Sequence, residues 1–325
     1  MKTEKELACV AVVVTYNGEN VIGKCLNSLR NSHFPVTVVI IDNASTDSTV
    51  EIVKQNFKEM TLIQCKKNLG FGRANNIGLK WALENDANFV FLNNQDAWVK
   101  PETIGGVISV SQSNPEYGIL SPVHLNETGD RLDLNFSVSA GEFSCPYFFS
   151  DLFAGKDLKA VYEVNSVNAA SWLITRVCMN KVGGFDPIFF MYGEDGNFLM
   201  RTKCHGFKIG IVPEATITHA RIPSAPQKNN SLIKYRSSLY HQHAHWLSEL
   251  TNLNETYPRL WFNVLRRVVV KCCYDTIFRN WRELPGNIEA ICMLGIRAST
   301  ISKHRKIARS SNYAFLQDID NKNTI

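Results

Sequence analysis

Over the first 120 residues, short β-branched runs alternate with stretches of helical spacing. No other feature narrows the possible folds as much. Strands are predicted at Ala8 to Val14, Val36 to Ile41, Thr61 to Cys65 and Asn88 to Leu92. Between them, Val21, Ile22, Cys25, Leu26 and Leu29 recur at helical intervals, and Ala74, Ile77, Gly78, Trp81 and Ala82 form a second apolar stripe. A chain patterned this way builds βαβ units, so the expected fold class is α/β: a mostly parallel sheet with helices packed on its faces. Pro101 suits the first turn of a further helix, running through Ile104, Val107 and Ile108 to a stop near Asn114-Pro115.

Beyond Ser121 the periodicity fades into a stretch to Val164 rich in Phe, Ser, Gly and Asp, expected to hold long loops or small strands covering a site. Order returns over Val167 to Thr175, a helical pattern follows Glu194-Asp195, and two short strands are expected at Phe207 to Val212 and Ala215 to Thr218. A soft boundary falls near residue 225, in Ile222-Pro223-Ser224-Ala225-Pro226. Residues 1–225 then form one α/β domain and 226–325 a helical, basic extension.

Charge sharpens the reading of that extension. The net charge of +5 is too small to imply nucleic-acid binding, but between Arg259 and Arg309 eleven Lys or Arg face only three acids, Asp275, Glu283 and Glu289. Trp261, Phe262, Tyr274, Phe278 and Trp281 are interleaved with them. Two readings fit: peripheral contact with an anionic membrane surface, or a basic helical subdomain whose aromatics are core. No apolar run approaches the roughly eighteen residues needed to span a bilayer. The short apolar run near the N-terminus leads into Thr15-Tyr16-Asn17 without a small-residue cleavage site, so it reads as a first strand. Nine cysteines, an odd number without a C-x-x-C pair, suit reduced thiols, and the expected location is cytoplasmic, with the membrane's inner face as a peripheral option.

In open α/β sheets ligands bind at the carboxyl ends of the strands, and four strand exits here are more polar than packing requires. They are Thr15-Tyr16-Asn17, Asp42-Asn43-Ala44-Ser45-Thr46-Asp47, Asn68-Leu69-Gly70-Phe71-Gly72-Arg73 and Asn93-Asn94-Gln95-Asp96. Ser45 to Ser48 would also serve simply to cap the next helix. Asp42, ending a run of Val and Ile, can accept hydrogen bonds from a base or ribose. The Gly70-x-Gly72 loop opens a helix with Arg73, which would set backbone N–H groups and a guanidinium beside phosphate.

Two carboxylate sites carry the chemistry. A diphosphate leaving group develops charge as its bond to a sugar breaks, and a divalent cation shared with Asp96 would stabilise that charge. Mg²⁺ or Mn²⁺ takes oxygen ligands and keeps phosphates and waters in its shell, so one protein carboxylate can suffice. The other site is Glu194-Asp195, which follows Phe189-Phe190-Met191-Tyr192-Gly193 and opens a helix. The helix dipole there favours the ionised form that a general base needs; simple capping is the competing reading. His219, closing Thr216-Ile217-Thr218, is a candidate second ligand for the same metal. His241, His243 and His245 diverge at helical spacing and make a poor zinc site.

These segments, taken in order, resemble the family-2 inverting glycosyltransferases of the GT-A fold, in particular the branch containing bacterial rhamnosyltransferases. The match lies in Val12 to Asn17, Ile41 to Asp47, Asn68 to Asn76, Leu92 to Asp96 and Phe189 to Asp195, within residues 8 to 220. The resemblance implies a nucleoside-diphosphate sugar donor bound by Thr15, Asn17, Asp42 and Asp96, a divalent metal, and Asp195 as base in a single inverting displacement. Tyr16, Asn43, Asn68, Gly70, Arg73 and Asn94 lie in the matching segments or beside them and complete the expected donor site, with Glu194 beside the base. It also implies surface-polysaccharide assembly on a glycan or lipid-linked acceptor, with rhamnose the first candidate sugar and a UDP-linked hexose or galactofuranose the second. The family's metal motif often carries two aspartates; here it reads Asn94-Gln95-Asp96.

Other activities fit the residues less well. A nucleotidylyltransferase would carry a Gly-rich basic loop after the first strand, and a dinucleotide-dependent oxidoreductase G-x-G-x-x-G. Thr15-Tyr16-Asn17-Gly18-Glu19 is neither. A non-catalytic nucleotide-sugar-binding protein stays open, since fold alone does not prove catalysis.

Overall fold

A computed structural model describes residues 8–221, 231–277, 284–310 and 312–316. In chain order the N-terminal elements are β1 (Cys9–Thr15), α1 (Ile22–Arg30), β2 (Val36–Asp42), α2 (Thr49–Asn56), β3 (Thr61–Gln64), α3 (Phe71–Glu84), β4 (Phe89–Asn94), β5 (Ala97–Val99) and α4 (Thr103–Ser113). Then come β6 (Tyr117–Leu125), α5 (Leu134–Ala140), α6 (Phe148–Phe153), β7 (Tyr162–Glu163), β8 (Ser171–Thr175), α7 (Arg176–Val182), α8 (Glu194–Cys204) and β9 (Lys208–His219). Four helices follow: α9 (Ser231–Leu250), α10 (Tyr257–Ile277), α11 (Leu284–Ile296) and α12 (Ala298–Ser310).

The strands form one sheet in the order β3-β2-β1-β4-β8-β6-β9-β5, with β7 pairing β9. Successive side chains on a strand point to opposite faces, and β1 shows the result. Val10 and Val12 join one buried cluster with Ala74, Ile77 and Ala82 of α3. Ala11 and Val13 join the other, with Ile22, Cys25, Leu26 and Leu29 of α1 and Ile104, Val107 and Ile108 of α4. Both predicted helical stripes therefore pack on the sheet, one on each face. Each fully buried aliphatic side chain contributes roughly 1.5–3 kcal/mol, which ties α1 and α3 to β1 whatever their intrinsic propensities.

Two expectations change. The sheet is parallel only from β3 to β4 and between β6 and β9; β4 with β8, β6 with β8, β5 with β9 and β7 with β9 are antiparallel. The mostly parallel sheet is thus a mixed one, with β8 running antiparallel to both its neighbours, β4 and β6. The two short strands expected at 207–218 are one, β9, whose register against β6 shifts between Pro122 and Val123. The stretch from 121 to 164, expected as loops or small strands, contains most of β6, two short helices and β7.

The C-terminal helices do not stand apart. Trp246, Leu247, Leu250, Leu260, Val264, Val268, Leu294 and Ile301 share a third cluster with Ile188 and Phe189, the segment that leads into α8. The closing turn packs back as well: Tyr313 N donates to Asn180 O, Gly184 N donates to Ala314 O, and Leu316 is buried in the main core. The expected boundary near 225 lies outside the described residues. All nine cysteines are free thiols.

Candidate active site

The polar exits of β1, β2 and β4 meet at one end of the sheet and are laced together by their own side chains. Thr15 Oγ1 donates to Gln95 Oε1 at 2.6 Å, Tyr16 N donates to the same oxygen at 3.0 Å, and Gln95 Nε2 returns a bond to Tyr16 O. Asn17, in the left-handed region at φ 48°, donates its N–H to Ser45 Oγ and accepts from Thr46 N through Oδ1. Asp42 is buried and accepts from Ser45 N, while Asp47 accepts from Thr49 and Glu19 N. Asn43 and Asn68 bond each other, with Asn43 Oδ1 taking Leu69 N and Asn68 Oδ1 taking Gly70 N. Asn94 closes β4, its N–H on Ala170 O and its carbonyl accepting from Cys25 Sγ. Tyr16 stays exposed at the lip of this frame.

The loop ahead of α3 touches a distant segment. Gly70 has φ +82°, and a Cβ built there would lie 1.9 Å from Phe190 O; one on Gly72 would lie 2.9 Å from Phe185 Cβ and 3.6 Å from Glu194 Cβ. These glycines let the segment carrying Glu194-Asp195 lie directly against the donor-side loop. Arg73 serves the same junction: Nε and Nη2 both donate to Pro187 O, at 2.9 and 2.5 Å. The guanidinium expected beside phosphate is instead engaged with a backbone carbonyl. Asn76 adds a reciprocal pair, Nδ2 to Phe185 O and Oδ1 from Phe185 N. From the other side, Arg201 donates to Val182 O and Gly184 O, Arg297 donates to Ile188 O, and His304 Nδ1 meets Asp186 Oδ1 at 2.5 Å.

So held, Glu194 and Asp195 open α8 behind Gly193, which has φ +89°. The dipole of a helix start favours ionised carboxylates, yet both shift the other way. Burial pushes the Glu194 carboxyl up to about 7, opposed by its own backbone N–H and reinforced by the charge of Asp195. Glu194 Oε2 is fully buried with no hydrogen-bond partner among the described residues. Burial likewise raises the Asp195 carboxyl, although Oδ1 accepts from Gly196 N at 2.7 Å. The expectation that the helix start favours the ionised form is corrected: desolvation outweighs the dipole, leaving two carboxyls whose protons are more tightly held than usual.

Asp96 and His219 come together as expected of a shared site. His219 Nε2 lies 3.4 Å from Asp96 Oδ1, because β5 and β9 pair Ala97 with His219. On the other ring edge Nδ1 lies 3.4 Å from Asp133 Oδ2. Arg221 closes the row, its Nη2 2.7 Å from Asp133 Oδ1 and its Nε also on that carboxylate. Burial works to raise the Asp133 carboxyl, but bonds from Arg221 and from Phe136 N hold it below the usual range. His124 packs at a tilt on Phe136 and faces His219 edge-on; burial lowers its pKa to about 3 and keeps it neutral. Among the described residues no group of three or more His, Cys, Asp or Glu side chains is arranged to hold a metal. A converging carboxylate and imidazole still fit a divalent cation that takes its other ligands from phosphate and water. His243 is buried and His241 exposed, so those histidines diverge as their spacing predicts.

Three contributors escaped sequence reasoning. Gln95 was visible only as the odd residue in Asn94-Gln95-Asp96, and its clamp on Thr15 and Tyr16 spans 80 and 79 positions. Asp133 and Arg221 are 88 positions apart, Asp133 in a stretch without periodicity and Arg221 just past β9. The N-cap spacing of Asp133 before Phe136 was the available signal. A pocket of about 520 Å³ lined by Ala8, Val10, Val36 and Trp81 lies at the opposite, amino ends of β1 and β2 and belongs to none of this.

Residues 10–154 match the model of Glycosyl transferase family 2. The N-acetylglucosaminyl-diphospho-decaprenol L-rhamnosyltransferase of Mycobacterium tuberculosis is 26% identical over 233 residues, covering 66% of this chain and 76% of that protein. Among solved structures, S. aureus TarS 1-349 in complex with UDP-GlcNAc superposes with a TM-score of 0.56 at 18% identity, covering 98% of this chain and 90% of that one. The mannosyltransferase PcManGT from Pyrobaculum calidifontis, in complex with GDP-Man and Mn²⁺, gives 0.52 at 17% identity, covering 95% and 85%. At these identities the likeness speaks to fold, and that fold is GT-A with helices appended at the C-terminus.

Proposed function

Because residues 10–154 are a family 2 glycosyl transferase domain, we propose that the chain moves a sugar, with inversion, from a nucleoside-diphosphate donor to a hydroxyl of a glycan or lipid-linked glycan. The observation that carries this reading is the contact of Gly70 and Gly72 with Phe190, Phe185 and Glu194. It sets a candidate base beside the loop that follows β3, at the strand ends where a nucleotide binds.

In the proposed reaction the acceptor hydroxyl attacks the anomeric carbon while Asp195 takes its proton, and the bond to the diphosphate breaks on the opposite face. Thr15, Tyr16, Asn17, Asp42, Asn43, Asn68 and Asn94 frame the nucleotide end. Asp96 and His219 would hold a Mg²⁺ or Mn²⁺ ion, which supplies charge neutralisation for the leaving diphosphate. Glu194, its carboxyl raised to about 7 by burial, keeps its proton at mildly acid pH and there leaves the adjacent Asp195 without a charged neighbour at the helix start. The Mn²⁺ in PcManGT supports the metal by likeness of fold.

Rhamnose is the first candidate sugar, supported by the mycobacterial relative's name, and the proposed setting is surface-polysaccharide assembly at the cytoplasmic side. A UDP-linked hexose is the second, supported by the UDP-GlcNAc complex of TarS. Thermal unfolding of the protein with dTDP-rhamnose, UDP-hexoses and UDP-galactofuranose in turn, each with and without Mn²⁺, tests the reading. A rise in Tm confined to one nucleotide sugar identifies the donor; no rise with any of them rejects it.

Peripheral membrane contact belongs to the same reading. No helix of the described residues is long and apolar enough to cross a membrane. Trp261 packs against the third cluster, as a core aromatic would. Phe262, Leu265, Val269, Val270, Tyr274 and Ile277 nevertheless stand exposed on α10, beside Arg266. Phe278 and Trp281 lie outside the described residues.

A further inference from the structure

The row Asp96, His219, Asp133, Arg221 contains more than a pair of metal ligands. His219 is 6% exposed, so its orientation is set by protein contacts and not by water. Its ring cannot point both nitrogens at Asp96. Nε2 faces Asp96 and Nδ1 faces Asp133, each at 3.4 Å. Asp133 is itself immobilised: Oδ1 caps α5 through Phe136 N at 2.9 Å, and both oxygens meet the Arg221 guanidinium. Asn135, with its amide oxygen turned toward Arg221, accepts from Nη1 and Nη2 at 2.9 and 3.0 Å, fixing that guanidinium to the same turn. Arg221 sits just past the end of β9 with φ +44°, a left-handed conformation that turns it back toward Asp133.

We propose that Asp133 is a positioning residue for His219, holding the imidazole with Nε2 toward Asp96 and strengthening that nitrogen as a ligand for the divalent cation. The proposal rests on the reading of Asp96 and His219 as the protein's share of the metal site. A histidine that binds metal through one nitrogen commonly gives its other N–H to a carboxylate, which fixes the tautomer and raises ligand basicity. Asp133 stands where that carboxylate is needed. At 3.4 Å the Nδ1 contact is too long for a good hydrogen bond, and Nδ1 has no other partner among the described residues. With a cation on Nε2 the imidazole proton would reside on Nδ1, facing Asp133. Segment 126–135 thereby becomes part of the metal site although it supplies no ligand.

The competing account is structural: Asp133 caps α5 and pairs with Arg221, and nothing more. Two variants separate them. Asn and Ser are both good caps, so Asp133→Asn and Asp133→Ser keep α5 while removing the charge that faces Nδ1. Mn²⁺ affinity is measured by the electron paramagnetic resonance of free Mn²⁺, with UDP and with dTDP, and electron spin echo modulation reads the ¹⁴N coupling of a bound imidazole. The expected result is a loss of about 10- to 100-fold in Mn²⁺ affinity and a weakened ¹⁴N coupling, with far-UV circular dichroism as in the parent. Should either variant unfold, the other carries the test, and Asp133→Glu is expected to restore part of the affinity. Asp96→Ala and His219→Ala give the control. If they leave Mn²⁺ binding intact, the metal reading fails and this proposal with it. If they abolish binding while both Asp133 variants bind Mn²⁺ like the parent, with unchanged ¹⁴N coupling, the proposal alone is overturned.

Discussion

Gly70 and Phe190 are 120 positions apart, yet a Cβ on Gly70 would sit 1.9 Å from the Phe190 carbonyl oxygen. The contact joins the loop after β3 to the segment that presents Asp195, so the two halves of the candidate site cannot be built independently. Gly70→Ala should therefore injure both. The added methyl meets a backbone atom that has no side-chain freedom to yield, at a φ of +82° that L-residues rarely adopt. Strain and overpacking together cost roughly 2–5 kcal/mol. Thermal unfolding should show a clear drop in Tm, and transfer activity should be lost even below the new Tm. A variant with parental Tm and activity would mean that the loops do not meet as described.

Asp195→Asn tests the base. The amide keeps the size of the side chain and can still accept from Gly196 N, but it cannot take a proton. A positioned general base typically contributes about 10²–10⁴-fold, and that loss should fall on kcat, with donor affinity nearly unchanged. Because burial raises the Asp195 carboxyl, the acid limb of kcat/KM in the parent should lie above the ordinary carboxylate range. Normal turnover by the variant would remove Asp195 from the mechanism.

Glu194 makes a separable prediction about stability. Its carboxyl is raised from 4.5 to about 7 in the fold, so the folded state holds a proton that the unfolded chain releases. The stabilisation linked to that proton is complete below the unfolded value and is lost as pH rises through the folded one. Above about pH 7 the parent carries an ionised carboxylate whose buried Oε2 has no hydrogen-bond partner among the described residues, and Glu194→Gln does not. The variant should unfold at higher temperature near pH 8 and match the parent near pH 4, a difference of at most ~3 kcal/mol. A gain of equal size at both pH values would contradict the assignment.

Chelation probes the other carboxylate. Removing divalent ions should suppress transfer, and Asp96→Ala should weaken donor binding with Mn²⁺ present while changing it little in chelator. Calorimetric titration of the donor under both conditions makes the comparison. Full activity in excess chelator would give Asp96 a different task.

The contrast among these residues shows what the sequence could reveal. Thr15, Asp42, Asn94 and Asp96 stood out as candidates because a polar residue at the end of a β-branched run has few reasons to be there, and strand ends are where α/β sheets bind ligands. The helical stripes on α1 and α3 were readable because burial on one face leaves a period. The bond from Arg73 to Pro187 O was not readable because the two lie 114 positions apart, and a backbone carbonyl leaves no trace in composition. The raised Glu194 carboxyl was not readable because helix dipoles are local and legible, whereas burial comes from elements packed around it. The reversal of β8 was hidden for a related reason: strand direction depends on how the chain returns to the sheet, which hydrophobic periodicity does not encode.

The exposed face of α10 decides between the two readings of the basic C-terminal region. Burying apolar side chains in a bilayer interface while cations meet anionic headgroups gives an affinity with two distinguishable components. Phe262 is 66% exposed and Val269 61%, and both can be changed to Ser without opening a core. Arg266→Glu reverses the charge on the same helix. The parent should sediment with phosphatidylglycerol-rich vesicles at low salt, release as salt rises because the Debye length contracts, and bind phosphatidylcholine weakly. The Phe262→Ser/Val269→Ser pair should lose binding at every salt concentration, whereas Arg266→Glu should mainly flatten the salt dependence. Failure of the parent to bind phosphatidylglycerol vesicles at low salt would leave a basic subdomain whose work is to hold the Ile188–Phe189 segment in place, and a concentration-dependent dimer in light scattering would assign the face to a second copy of the chain.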